Sequence, residues 1–367
     1  MIKEKCFTKD WMESFKKQKV HRQVQGQILE KMIHALYLLQ LLKVYGLDFV
    51  FKGGTSLVLL LNAEKRFSID IDIICLQEQA EIERILNLVV SKSSFKIFVL
   101  DKRRSYKSGI PKAHYIFDFE CVYNPNVPGK ILLDILLDES IYPEIIASPI
   151  STKWIESEDI ISVTTPTIDS IAGDKLTAFA PNTIGIPYYK GENSFTMQIC
   201  KQLFDLSKLF NEISNMNTVN KSFQAFAKKE IGYRNHYTDF EVKEVTPEKV
   251  LQDILGTCLL ITKRNHKEEP YKTQFADIEK GIRAFGSAFL MTGKFRIEDA
   301  VSAAAKVAHL TAKLIVGELS PIQFYNGEDI KQLSITNPDW IFLNKLKKQP
   351  DKSSFYYWYQ TVQLLSQ

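Results

Sequence analysis

The stretch Phe49-Val-Phe-Lys-Gly-Gly-Thr-Ser-Leu57, followed by Arg66-Phe-Ser-Ile-Asp-Ile-Asp-Ile73, decides how the N-terminal half of this chain folds. Its apolar start predicts a short strand, the glycine pair a corner, and Thr55-Ser56 the beginning of an apolar helix. Backbone N–H groups at a helix start have no partner within the helix and can bind a phosphate. A glycine corner alone often only turns the chain, so a phosphate site needs support from neighbouring residues.

Two aspartates come after this corner at a spacing that suits a metal site. Asp70 and Asp72 alternate with isoleucines, so on a strand both carboxylates project from one face while the isoleucines enter the core. The two carboxylates repel, and each resists ionising beside the other. A divalent cation removes this conflict, and Mg²⁺ favours a few carboxylates together with phosphate oxygens. A strand face with two solvated acids is the alternative, but the glycine corner upstream favours a site for Mg²⁺ and a triphosphate.

These motifs resemble a known family. Lys52-Gly-Gly-Thr-Ser-Leu and Arg66-Phe-Ser-Ile-Asp-Ile-Asp are similar to the signature of the AbiEii/AbiGii-type nucleotidyltransferase-like proteins. Those proteins are bacterial abortive-infection and toxin–antitoxin toxins of the polymerase-β nucleotidyltransferase superfamily. The wider superfamily usually has Gly-Ser before its Asp-x-Asp. Here the second position is Gly54 and the serine is Ser56, as in the toxin branch.

Two later segments extend the resemblance, which covers residues 24 to 210. Lys175, in a predicted helix, takes the position of the family's third motif, and Asp205, in the next, that of its fourth. Gln202 stands where many relatives have an acid, so the network around Asp205 is expected to differ. Apart from the resemblance, a lysine in such a helix usually extends its ammonium to water.

The resemblance also implies a third metal-binding carboxylate on a neighbouring strand. Asp134 lies within the apolar run 130–138 and is where this sequence offers one, while Asp138 shares its face and is the alternative. A carboxylate in such a run is costly to bury unless it binds at a site or finds a hydrogen-bond partner. The predicted catalytic residues are Asp70, Asp72, Asp134, Lys175 and Asp205, of which the first three bind metal. The predicted nucleotide-binding residues are Lys52, Gly53, Gly54, Thr55, Ser56, Arg66 and Ser68.

The implied reaction transfers an NMP from an NTP to an acceptor hydroxyl with two Mg²⁺ ions. Some relatives use the 3′ end of tRNA as the acceptor, and relatives are typically encoded beside an antitoxin. The resemblance therefore implies NTP as substrate, tRNA as acceptor and a cognate antitoxin as partner. Ser56 and Ser68 are the expected targets of an antitoxin that modifies the toxin.

Three other functions are compatible with parts of this pattern. A nucleotidyltransferase could act on a protein or a small molecule, in which case the acceptor face need not be basic. A regulatory module could bind NTP without turnover, although Asp70, Asp72 and Lys175 are all present. A scaffold with incidental acids would bind no NTP with Mg²⁺, and four motifs in order argue against it.

The order of predicted elements indicates an α/β (α+β) protein, with a nucleotidyltransferase-like mixed sheet and flanking helices followed by a mainly helical domain. We place the first domain, with its N-terminal helical segment, at residues 1–150 and the helical domain, with the Lys175 and Asp205 motifs, at 151–367. The predicted helices are 24–45, 78–91, 247–262, 273–291 and 297–316, and the predicted strands are 49–51, 69–73, 96–100, 114–122, 130–138 and 160–165.

Composition indicates a cytoplasmic protein with no membrane association. No apolar run reaches the length of a membrane span, and the N-terminus lacks the apolar core of a secretory signal. The five cysteines include no Cys-x-x-Cys pair, which fits a reducing compartment. The net charge of +4 permits contact with nucleic acid but does not require it.

Three segments could contact RNA, and each also has a structural explanation that involves no RNA. Residues 9–22 combine lysines with aromatics, but a surface helix with its aromatics packed inward explains them as well. The loop 101–112 carries five cations and could contact phosphates or simply form a solvated hairpin tip. The aromatic cluster 356–359 could stack on bases, or bury the last helix.

Overall fold

The computed structural model of this protein describes residues 1–18, 21, 24–61, 66–106, 111–235, 245–290 and 292–366. The chain forms two compact units, Met1–Thr167 with Phe289–Gly293, and Ile168–Ala288 with Lys294–Gln367. The predicted fold class, a mixed α/β sheet followed by helices, is confirmed. The domain boundary at residue 150 stays a prediction, and the first compact unit runs beyond it to Thr167.

The first unit contains four helices and a seven-stranded sheet among its described residues. Its elements are α1 (Lys9–Lys16), α2 (Gly26–Val44), β1 (Val50–Lys52), α3 (Gly53–Leu60), β2 (Ile71–Ile74), α4 (Gln79–Ser91), β3 (Phe95–Leu100), β4 (Lys112–Phe119), β5 (Gly129–Leu136), β6 (Ile145–Pro149) and β7 (Ser162–Pro166).

The sheet is mixed, with strand order β3-β4-β5-β2-β1-β7-β6. Strands β2 and β5 are parallel, as are β1 and β7, and the other pairs are antiparallel. The alternating apolar residues of β4 and β5 are buried on one face, where α2 and α4 pack. The opposite face carries the polar residues of these strands, so it is the face available for chemistry.

Most predicted elements of this unit are confirmed, with shifts at the glycine corner. Helix α3 begins at Gly53, two residues before the predicted start at Thr55, and Gly53 has a positive φ of +77°. Strand β2 begins at Ile71, so Asp70 precedes the strand and does not lie within it. Strand β6 was not predicted. It is an exposed edge strand, and its sequence lacks the alternation that burial of one face imposes.

The second unit is mainly helical. Its elements are α5 (Ile168–Ala178), β8 (Tyr189–Lys190), β9 (Asn193–Ser194), α6 (Thr196–Leu209), α7 (Met216–Asn235), α8 (Pro247–Lys263), α9 (Tyr271–Ala288), α10 (Ile297–Val316), the 3₁₀ helix Ile341–Lys348 and α11 (Ser353–Leu365). The small residues of α10 are buried, and this helix contacts α6, α8, α9 and α11. The predicted helices in this region are therefore confirmed, with ends shifted by a few residues.

For two aromatic segments, the structural explanation that involves no RNA is correct. Trp11 and Phe15 of α1 pack against the apolar core of the first unit. Tyr356, Tyr357 and Trp358 are buried in α11. Lys19 and Arg22 of the first segment lie outside the described residues, as do residues 107–110 of the basic loop. No helix in the described part of the chain is long and apolar enough to cross a membrane.

Candidate active site

Four polar side chains lie side by side across the sheet of the first unit. Strand register pairs His114 of β4 with Asp134 of β5, and Asp134 with Asp72 of β2. Asp72 is paired in turn with Lys52 of β1. Register partners on adjacent strands point to the same face, and all four are partly exposed on the face opposite the apolar core. We call His114, Asp134, Asp72 and Lys52 the polar row.

The glycine corner lies directly against this row. A Cβ atom on Gly53 would come 2.1 Å from Oδ2 of Asp72, so only glycine lets the carboxylate approach the start of α3 this closely. The positive φ of Gly53 also favours glycine. No side chain caps this helix start, and the N-terminus of a helix carries a partial positive charge. The corner therefore combines backbone N–H donors with an adjacent carboxylate.

The hydroxyl groups of Thr55 and Ser56 at the glycine corner form hydrogen bonds within the protein. Thr55 and Ser56 are fully buried. Thr55 Oγ1 donates to the backbone carbonyl of Asp70 at 2.5 Å, and Ser56 Oγ donates to the carbonyl of Gly53 at 2.9 Å. The first bond ties the start of α3 to the segment that carries the aspartates. The corner accordingly presents backbone N–H groups, and these two hydroxyls position it.

Both oxygens of Asp134 have partners on the β4 side of the row. His114 Nδ1 lies 2.6 Å from Oδ1 and donates to it, since a carboxylate oxygen accepts. Arg104, from the basic loop, donates from Nη2 to Oδ2 at 3.4 Å. This explains how a carboxylate is tolerated within the apolar run. Asp138 lies beyond the end of β5 and accepts from the backbone N–H of Glu139.

The donor set fits a magnesium ion that binds together with a nucleotide. Among the described residues, no group of three His, Cys, Asp or Glu side chains is arranged to hold a metal by itself. Mg²⁺, however, is usually bound by one or two carboxylates plus substrate phosphates. Asp70 and Asp72, both partly exposed beside the start of α3, offer that set.

Arg66 and Ser68, predicted to bind nucleotide, are both buried. Arg66 Nη1 donates to the carbonyl of Phe67 at 2.9 Å, and Arg66 forms a bridge with Leu290. The Phe67 N–H also donates to the carbonyl of Phe289. These contacts attach the segment before β2 to Phe289 and Leu290. Modification of Ser56 or Ser68 would require this region to open, because neither side chain is accessible as folded.

In the second unit, Lys175 and Asp205 form a buried ion pair between α5 and α6. Lys175 Nζ lies 2.9 Å from Asp205 Oδ2, and their side chains are 6% and 2% exposed. The expectation that Lys175 extends to water is therefore wrong, because Asp205 compensates its charge within the protein. Gln202 accepts a further hydrogen bond from Lys175 at 3.1 Å. An amide thus stands beside this pair where many relatives have an acid.

His114 is the member of the site that the motifs did not predict. Its signal was present in the alternation of β4, where Tyr115, Phe117 and Phe119 face the core and His114 shares the opposite face with Asp118. This alternation identifies the polar face of β4. It does not identify the partner, since the contact with Asp134 depends on how β4 and β5 pair.

A mixed sheet that presents paired carboxylates beside a glycine corner at a helix start defines the nucleotidyltransferase class, and the chain is a nucleotidyltransferase. The sequence profile of the family described as "Nucleotidyl transferase AbiEii toxin, Type IV TA system" matches residues 37–287. The chain belongs to this family of toxins. Its enzymes generally use an NTP and a divalent metal ion, and its toxins act with an antitoxin.

Two solved structures are similar in fold at low sequence identity. MenT4, a nucleotidyltransferase toxin from Mycobacterium tuberculosis H37Rv, has a TM-score of 0.45 and 14% identity, covering 84% of this chain and 99% of that chain. JHP933 from Helicobacter pylori has a TM-score of 0.39 and 14% identity, covering 80% and 93%. Among curated proteins, none matches the sequence.

Proposed function

We propose that this protein is a Mg²⁺-dependent nucleotidyltransferase that transfers an NMP from an NTP to the 3′ end of tRNA, as the toxin of a toxin–antitoxin pair. One observation carries the proposal. The carboxylate of Asp72 lies against Gly53 at the start of α3, within a row that continues through Asp134 and Lys52. This arrangement supports the proposal, because backbone N–H donors that suit a phosphate lie beside carboxylates that suit a metal ion.

Each part of this site has a proposed role. The backbone N–H groups of Gly53, Gly54 and the next residue, Thr55, bind the β- and γ-phosphates. Asp70 and Asp72 hold the metal. When bound, Mg²⁺ neutralises phosphate charge and lowers the pKa of the acceptor hydroxyl.

Asp134, His114 and Lys52 act beside the proposed metal and phosphate ligands. Asp134 is the proposed third carboxylate, and His114 fixes its orientation through the bond to Oδ1. Lys52 contributes positive charge at the end of the row. Lys175 and Asp205, at the positions of the family's third and fourth motifs, stay proposed catalytic residues. The acceptor oxygen attacks the α-phosphorus, and pyrophosphate leaves.

The basic character of the chain and of its loop 101–112 supports tRNA as the acceptor. The net charge is +4, and the basic loop reaches Asp134 through Arg104. Lys102 and Arg103 of that loop are exposed, so they are available to phosphates of a bound strand.

The test is to incubate the purified protein with total tRNA, Mg²⁺ and each labelled NTP in turn. We expect label on tRNA with the natural protein and none with Asp70→Asn or with EDTA. Asp134→Asn and Asp138→Asn form a matched pair, and only the first should abolish transfer. Circular dichroism establishes that each variant is folded.

Other outcomes would redirect the proposal. Pyrophosphate release without label on tRNA would exclude this acceptor and point to a protein or a small molecule. Mg²⁺-dependent NTP binding without any pyrophosphate release would favour a regulatory module. Full activity of folded Asp70→Asn would remove the metal assignment.

A further inference from the structure

A cavity of about 450 Å³ lies within the helical unit. It is formed by the end of α8, the turn after it, the start of α9 and the 3₁₀ helix Ile341–Lys348. Its lining residues include Leu260, Lys263, His266, Tyr271, Asp339, Trp340 and Phe342. Cavities that bind small molecules range from about 300 to 1,000 Å³, so this one has the size for a small ligand.

Three aromatic rings form the walls of this cavity. Tyr271 is 55% exposed, and Trp340 and Phe342 are partly exposed. Trp340 packs against the buried Trp358 with ring centroids 6.0 Å apart. Trp358 is held in turn by a hydrogen bond from Nε1 to Thr262 Oγ1 at 3.2 Å. The Trp340 ring is therefore supported from behind while part of it faces solvent.

Two exposed lysines, Lys263 of the cavity lining and its neighbour Lys345, approach the Phe342 ring. Nζ of Lys263 lies 5.8 Å from the centroid of the Phe342 ring, and Nζ of Lys345 lies 5.6 Å from it. Lys345 also donates to the backbone carbonyl of Lys263 at 3.2 Å. Neither ammonium has a carboxylate partner among the described residues. Burial and the positive charges of Arg264 and Lys263 lower the pKa of Lys345, so an anion here would relieve a repulsion.

The cavity also offers hydrogen-bonding groups of both kinds. His266 Nε2 donates to the carbonyl of Leu260 at 2.9 Å, since a carbonyl oxygen can only accept. Its other ring nitrogen then remains an acceptor when the imidazole is neutral. Asp339 adds an exposed carboxylate to the lining, which can accept from an amino group or from ribose hydroxyls.

We propose that this cavity binds a nucleotide, with the base stacked on Trp340 and the phosphate held by Lys263 and Lys345. Flat aromatic walls suit a nucleobase because every base offers a π face. The paired ammonium groups suit a phosphate, because neither has a carboxylate partner among the described residues. The nucleotide comes either from solution as a free molecule or from a single-stranded RNA. This site lies within the helical unit, and its existence does not depend on the proposed transfer reaction.

The test measures nucleotide binding by tryptophan fluorescence. It uses the full-length protein carrying Asp70→Asn, so that no turnover occurs. Probes are AMP without Mg²⁺ and a short single-stranded RNA of mixed sequence. We expect quenching by at least one probe. Trp340→Leu should weaken binding by about tenfold or more, since stacking contributes strongly to each base bound. The double variant Lys263→Ser, Lys345→Ser should weaken it to a similar extent, whereas the exposed Lys267→Ser should not.

Because Trp340→Leu removes a reporter, binding is also followed by the anisotropy of labelled AMP and labelled RNA. Binding of AMP alone assigns a free nucleotide, and much tighter binding of RNA assigns a strand; either result supports the site. Failure of both probes to bind overturns the proposal. So does binding that survives Trp340→Leu and is displaced by inorganic pyrophosphate, because that pattern identifies an anion site without base recognition.

Discussion

At the residue scale, Gly53 fills a position that no other residue type can take. It has a positive φ and leaves no room for a Cβ beside the Asp72 carboxylate. Thr55 and Ser56 secure the same corner by hydrogen bonds to backbone carbonyls. The motif Lys52-Gly-Gly-Thr-Ser therefore has two kinds of members, those that leave space for the site and those that hold its backbone in place.

Replacement of Gly53 by alanine tests this reasoning. We expect Gly53→Ala to abolish or severely reduce transfer and to lower the free energy of unfolding by more than about 2 kcal/mol. The positive φ alone costs an alanine about 1–2 kcal/mol, and the new Cβ also displaces the Asp72 carboxylate. Urea unfolding and labelled-NTP transfer measure the two effects.

Gly46 provides the matched control. It also has a positive φ, of +93°, but nothing lies within 4 Å of the position of an added Cβ. Gly46→Ala should therefore show the conformational cost alone, with transfer retained. Equal losses of activity in the two variants would contradict the role assigned to the contact between Gly53 and Asp72.

At the scale of elements, the buried ion pair joins α5 to α6. A buried charge without its partner is costly, and removal of one partner typically destabilises a protein by about 3–5 kcal/mol. We expect Lys175→Met to lower the free energy of unfolding by about this amount, measured by urea unfolding. The double variant Lys175→Met, Asp205→Leu should recover most of the loss, because it leaves no charge buried alone.

Activity separates the structural role of this pair from its proposed catalytic role. If Lys175 and Asp205 act in catalysis, the double variant should be stable and inactive. A stable double variant with normal transfer would make the pair purely structural. The exposed pair of Arg283 and Glu279 is the control, and Arg283→Ala should change the free energy of unfolding by less than about 1 kcal/mol.

At the scale of the whole molecule, each unit contains a buried histidine whose pKa is lowered by burial. Burial lowers the pKa of His34, in the first unit, to about 4, and that of His309, in the second, to about 4. His34 stacks on Phe119 with centroids 3.7 Å apart, and its Nδ1 donates to the carbonyl of Glu30. His309 packs against Phe210 and Tyr357.

These histidines should make both units less stable in mild acid. An unfolded histidine binds a proton below about pH 6.5, whereas the folded ones bind it only near pH 4. The unfolded state therefore binds more protons in this window, and stability falls as the pH falls from about 6.5 toward 4. The depressed pKa of each histidine corresponds to at most about 3 kcal/mol.

Variants that cannot titrate measure this effect. We expect His34→Phe and His309→Phe to reduce the dependence of the urea midpoint on pH between about 4.5 and 7, each in its own unit. The change of slope relative to the natural protein is the relevant quantity, because carboxylates titrate in both. An unchanged slope in either variant would show that the folded histidine binds a proton as readily as the unfolded one.

The local secondary-structure elements and the main motif residues could be predicted from sequence patterns. Helical and alternating periodicity indicated α2, α4 and β4 to within a few residues, since burial of one face imposes those patterns locally. The glycine corner and the two aspartates were also readable, because their chemistry depends on neighbours only a few residues apart. These features led to the correct class and family.

Which of these residues contact one another depends on strand pairing and helix packing. Strand pairing places Asp134 beside Asp72 and His114 beside Asp134, and it gives both oxygens of Asp134 their partners. Packing of α5 against α6 turned Lys175 inward to Asp205. The physical reason is that such contacts join residues far apart along the chain, and their geometry depends on register and on the space left by the surrounding core. Local patterns specify which face a side chain occupies, whereas its partner is set by the residues that the fold brings to that face.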